Sequence, residues 1–119
     1  MQRIDIDDPA VDMDGAKRLL YQGELFSGEV AEYHGGSLVS LDGYTEGVPD
    51  GLTQEWYRDG ARRSWARVRM GFVIGECLEW HRNGQLASKR VFSEDGKRLL
   101  GDYKWDEEGK PTRAWCDKG

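Results

Sequence analysis

The chain has two cysteines, three prolines and two histidines in 119 residues. Cys77 and Cys116 allow one disulfide at most, not a framework of bridges. Two histidines, with no Cys-x-x-Cys and no His-x-x-x-His, are too few for a zinc site, so no metal and no cofactor is expected. No apolar run approaches membrane-spanning length, and no apolar leader opens the sequence. The expectation is a soluble, cytoplasmic protein. No serine sits in a Gly-x-Ser-x-Gly elbow. The glycines are spread out, not gathered into a phosphate-binding loop. Leu, Ile, Val and Phe total only 23 residues, which excludes a thick aliphatic core.

Rings and turns make up the shortfall. Five Trp and five Tyr supply large apolar area, and sixteen Gly against three Pro point to many tight turns. The net charge of -5 is modest but unevenly placed. Asp5, Asp7, Asp8, Asp12 and Asp14 face Arg3 alone in the first fourteen residues, while Arg58, Arg62, Arg63, Arg67 and Arg69 are opposed only by Asp59. An acidic start and a basic middle suit electrostatic steering of a partner, or simply a solvated surface.

The sequence repeats itself. Residues 28–36 read GEVAEYHGG, 51–60 GLTQEWYRDG, 75–84 GECLEWHRNG and, more loosely, 101–109 GDYKWDEEG. The leading glycines fall 23, 24 and 26 residues apart. Gly23, Gly47, Gly71 and Gly96 precede them. A fixed period with atypical end units is the mark of a repeat architecture. Each unit reads as a β-hairpin. Asp59-Gly60 and Asn83-Gly84 are two-residue turn signals in which both central positions need positive φ. No stretch keeps helical spacing. Residues 16–20 suit a short helix or a strand equally. Tyr33, Trp56, Trp80 and Trp105 occupy one repeat position and are expected to stack as a ladder, each ring on the next.

This phrase, Gly-x4-Trp/Tyr-aromatic-x-Asn/Asp-Gly with an earlier Gly and a period in the low twenties, resembles the bacterial variant of the MORN repeat. Residues 21–30 (YQGELFSGEV), 55–60 (EWYRDG) and 79–84 (EWHRNG) look more narrowly like the YwqK-type antitoxin or immunity proteins. The resemblance covers about residues 20–115. It implies an all-β fold, a single curved antiparallel sheet of successive β-hairpin repeats, with no catalytic residues. It implies a protein partner, often a toxin held inactive, or in the wider family a scaffold that touches anionic lipid. It implies no nucleic acid. Residues 1–19 are then an acidic N-terminal segment, 20–115 a domain of about four repeats and 116–119 a tail. The irregular fourth repeat and the acidic first fourteen residues depart from the pattern, and the latter are a candidate specificity element.

The candidate partner-binding residues are Glu32, Glu55, Glu79, Tyr57, His81, Arg63 and Trp65. Glu32, Glu55 and Glu79 precede the ladder ring and form either an acidic stripe for a basic partner or ordinary solvent-side residues of alternating strands. Like groups in a row do not make an acid/base pair, which needs split environments. His34, Tyr57, His81 and Asp106 share the next position, whose variety reads as an exposed surface site. Arg58 to Arg69, with Trp65 inside, reads either as an anion-binding stripe or as a charged strand edge that resists pairing. Residues 12–15 resemble part of a calcium loop, but Ala10 and Tyr21 stand where its acids belong. Cys77 reads as a small buried filler and Cys116 as part of a frayed tail. No nucleophile has a positioned base and an oxyanion site, so no enzyme is expected.

Overall fold

The glycine-bounded runs become strands, and no helix forms among the described residues, 2–117 of the computed structural model. In chain order the strands are β1 (Arg3–Asp5), β2 (Val11–Met13), β3 (Leu19–Tyr21), β4 (Glu24–Leu25), β5 (Gly28–His34), β6 (Ser37–Thr45), β7 (Val48–Trp56), β8 (Arg62–Arg69), β9 (Phe72–Trp80), β10 (Leu86–Phe92), β11 (Leu99–Trp105) and β12 (Pro111–Cys116). From β5 onward each strand pairs antiparallel with the next, giving an open nine-stranded sheet in the order β1-β5-β6-β7-β8-β9-β10-β11-β12. The fold class read from the repeats is the one the chain adopts.

Two features of the N-terminal region depart from a single antiparallel sheet. β1 joins the edge of β5 in parallel, with Ile4 beside Val30. β2, β3 and β4 form a separate three-stranded sheet. The division expected after residue 19 therefore falls inside β3. The cause is the few apolar residues among the aspartates. Ile4, Leu19, Phe26 and Val30 form a buried cluster, flanked by Val11, Tyr21 and Tyr44. Burying a side chain such as Ile4 contributes about 2 kcal/mol, more than mild repulsion among exposed aspartates removes. Every buried apolar residue lies at or before Ile74 among the described residues. The later hairpins are a single layer. At the other end, Cys116 closes β12 and does not begin a tail; of the expected tail, residues 118 and 119 lie outside the described residues.

The turns use other residues than the sequence suggests. Gln22, Glu46 and Met70 have positive φ, each followed by a positive-φ glycine (Gly23, Gly47 and Gly71). These pairs, together with Gly35-Gly36 between β5 and β6, satisfy the mirror-image hairpin turn. At Asp59-Gly60 only the glycine is left-handed. Gly60 N–H donates to the Tyr57 carbonyl and Tyr57 N–H to that of Ala61, so the loop is a four-residue turn ending in glycine. The segment from His81 to Gln85 repeats this bonding. The Asp59 and Asn83 carboxyl and amide oxygens accept the N–H two residues on, which explains their place in the repeat without a positive φ.

A bulge recurs in every repeat hairpin. Glu32 pairs with Ser40 but Tyr33 with Leu38, leaving Val39 as the extra residue. The same slip leaves Arg63, Ala87 and Thr112 extra in the other three. It falls next to Tyr33, Trp56, Trp80 and Trp105 each time, so the four rings are structurally equivalent. They do not stack on one another. Successive repeats stand two strands apart, roughly 10 Å, beyond ring contact. The side chains of Leu38, Arg62 and Leu86 intervene in register, and the Arg62 guanidinium lies 4.4 Å over the Trp80 ring. The ring contacts that do form among the described residues are Tyr21–Phe26 and Tyr103–Trp105.

Candidate partner-binding face

Strand register lines up Glu32, Ser40, Glu55, Ser64, Glu79 and Ser88 in one cross-strand row. The row ends in Lys104 and Arg113. Cross-strand partners share a face, so the three carboxylates form the stripe that their repeat position suggests. With a serine between each pair they stand about 10 Å apart, where water-screened repulsion is only about 0.4 kcal/mol. Ser64 Oγ donates to Glu55 Oε1 at 2.8 Å. Glu32 lies 2.8 Å from His34 Nε2, and Glu79 lies 3.8 Å from Arg90.

Beside this row a groove of about 490 Å³ opens at the hairpin turns, lined by Glu32, Glu55, Tyr57, Arg58, Arg63 and Arg82 among others. The bulge puts Arg63 there. The Arg63 and Arg82 guanidiniums stand 5.9 Å and 5.1 Å from the centre of the Tyr57 ring. Trp65 is not part of the groove. It pairs with Gln54 and Leu78, and alternation from Ser64 puts it on the opposite face. β8 itself lies between β7 and β9, so its arginines are not the guards of a sheet edge. Arg58, Arg62, Arg63, Arg67, Arg69 and Arg82 make no ion pair among the described residues; the pairs that form use Arg3, Arg18, His34, Lys89, Arg90, Arg98 and Arg113.

The position after the ladder ring is more than an exposed surface site. His34 is exposed, but Tyr57 and His81 are half-buried. The Tyr57 hydroxyl donates to the Trp80 carbonyl at 2.8 Å, and His81 Nε2 reaches the Trp105 carbonyl at 2.9 Å. A carbonyl only accepts, so His81 carries its proton on Nε2. The Asn83 amide likewise donates to the Glu107 carbonyl. The second hairpin thus bonds to the third, and the third to the fourth, through turn side chains, whereas His34 of the first bonds only to Glu32 of its own hairpin. Tyr57→Phe removes one such bond, and we expect a stability loss of about 1 kcal/mol in urea unfolding. An unchanged midpoint would mean that the tie contributes nothing.

The remaining candidates resolve locally. The Asp14 carboxylate accepts N–H bonds from Arg18 and Ala16 and pairs with the Arg18 guanidinium. Hydrogen bonding from Arg18 holds its pKa below the ordinary carboxylate value. Cys77 sits in β9 opposite Ala66 and Arg90. Burial pushes its thiol pKa up, against the pull of Arg90. Both cysteines are free, Cys116 exposed. At about pH 8 a thiol reagent should therefore label Cys116 quickly and Cys77 only slowly. Equal rates would place Cys77 in a more open setting.

The candidate residues named from sequence omitted Arg82 and Asn83, and included Arg58 only as the start of the basic stripe. A usable signal was present, since Arg82 follows His81 as Arg58 follows Tyr57. Compared with protein-family models, with curated proteins and with solved structures, the chain matches none.

Proposed function

We propose that this chain is a non-catalytic binding protein, and that it works as an antitoxin or immunity protein that neutralises a bacterial toxin by direct contact. The observation that carries the reading is the pairing, on one open face, of a regular carboxylate row with guanidiniums that have no ion-pair partner among the described residues. Side chains stationed this way are available to a second protein. The repeat phrase that resembles the YwqK-type antitoxins supports the choice of partner. The acidic turns ahead of β3 add a second charged surface, suited to the basic rim of a toxin that acts on nucleic acid. Complementary charge of this sort raises association rates and makes them salt-sensitive.

Expression beside the product of a neighbouring toxin gene, with cell survival and co-purification as readouts, tests this. Survival with a stable complex is the expected result. Failure to protect against any neighbouring toxin sinks the reading. The unpaired arginines also favour a second reading, a scaffold module that contacts anionic headgroups. Sedimentation with anionic and neutral vesicles separates the two, since only the second predicts salt-sensitive vesicle binding.

A further inference from the structure

We infer that the groove at the first three hairpin turns binds an extended polypeptide segment of mixed charge, its acidic side chains meeting Arg58, Arg63 and Arg82 and a basic side chain meeting Glu32 and Glu55. This rests on the protein-binding reading and gives it a location and a ligand chemistry. The three guanidiniums are exposed, yet two of them are stacked on a ring and the third packs close to a neighbouring turn. Arg58 Nη2 lies against the turn of the preceding hairpin, 2.8 Å from where a Cβ on Gly35 would stand. Arg63 and Arg82 rest on the Tyr57 ring, which is itself fixed by its bond to the Trp80 carbonyl. Side chains ordered before binding lose less entropy on binding. A guanidinium fork also donates two parallel bonds to a carboxylate, a match that a compact ammonium lacks.

The carboxylates decide what kind of anion enters. Glu32 and Glu55 line the same groove as the arginines, so a ligand with unbroken negative charge would meet repulsion beside every attraction. Nucleic acid has that unbroken charge, and an anionic membrane presents it over a broad surface. The chain's net charge of -5 opposes both further. A peptide can instead alternate its charges along an extended backbone to match.

The test uses labelled peptides of equal length, one mixing Glu and Lys, one all Glu and one all Lys. A single-stranded RNA oligonucleotide and anionic vesicles are the other two probes. Binding is read by fluorescence anisotropy and by sedimentation. The full chain should prefer the mixed peptide, and added salt should weaken it. The pair Arg63→Gln and Arg82→Gln should cost the mixed peptide about tenfold or more in affinity. The pair Glu32→Gln and Glu55→Gln should instead swing the preference towards the all-Glu peptide. That opposite shift is one that mere loss of fold does not produce. RNA or vesicles bound in preference to peptide, or a mixed peptide indifferent to both pairs of changes, overturns the assignment. If a co-purified protein partner binds the Arg63/Arg82 variant as tightly as the parent, the groove assignment fails and the protein-binding reading survives.

Discussion

Gly28→Ala should lower the thermal midpoint by about 10 °C or more. Gly28 has φ of 149°, and a Cβ there would stand 2.5 Å from the Gln2 carbonyl oxygen and 2.8 Å from the Phe26 ring. The first neighbour is backbone, so it cannot swing aside. It also accepts the Glu29 N–H that leads β1 into the sheet. Moving Gln2 loosens the parallel pairing of β1 and the burial of Ile4. Backbone strain at such a φ costs of order 1–3 kcal/mol, and the lost packing of Ile4 and Phe26 adds about 2 more. For a domain of this size each kcal/mol corresponds to roughly 3–5 °C. Gly51→Ala is the control. It has φ of 106° with nothing within 4 Å of the added carbon, so strain alone acts and the shift should be a few degrees. Equal shifts for the two would mean that the contact with Gln2 is unimportant.

What could be read from the sequence follows from what repeats. The recurrence of glycines and rings gives hairpins, because strand–turn–strand is the unit that fits a period in the low twenties. The shared row of Glu32, Glu55 and Glu79 follows from the same period. What escaped involves residues outside the repeat or distances the period does not set. Ile4 gives no periodic sign that it will be buried, so the parallel entry of β1 was hidden. Equivalence of Trp56 and Trp80 says nothing of the gap between them, which two strand spacings set. Arg62 fills that gap and is not itself part of the repeat phrase. Gln22-Gly23, Glu46-Gly47 and Met70-Gly71 carry no strong turn residue at the first position, so their side chains do not mark them as pairs that take both left-handed conformations. Tyr57, His81 and Asp106 look interchangeable as surface residues. Yet Tyr57 and His81 both reach a carbonyl on the next hairpin, a role that different chemistries can fill.

Trp80→Ala should uncouple the C-terminal hairpins from the rest. The Trp80 ring is half-buried, carries the Arg62 guanidinium on one face and stands opposite Leu86 at the end of its hairpin. Removing a buried Trp costs about 3–5 kcal/mol; partial exposure brings the expectation to about 2–3. Where that loss appears matters more than its size. In a stack of units that contact only their neighbours, stability is a sum of local terms and damage spreads only as far as the next interface. The buried apolar cluster of Ile4, Leu19, Phe26 and Val30 lies at the other end of the sheet, and β10–β12 contribute no buried apolar side chain among the described residues. Hydrogen exchange should therefore accelerate in β9–β12 and stay slow at Val30 and Ala31. Tyr33→Ala, at the exposed ring position of the first repeat, should leave both regions nearly unchanged, since that ring is already 39% exposed. A uniform rise in exchange across all strands in the Trp80 variant would show that the sheet unfolds as one cooperative body. The half-buried rings and turn side chains would then bind the hairpins together more tightly than their separate contacts imply.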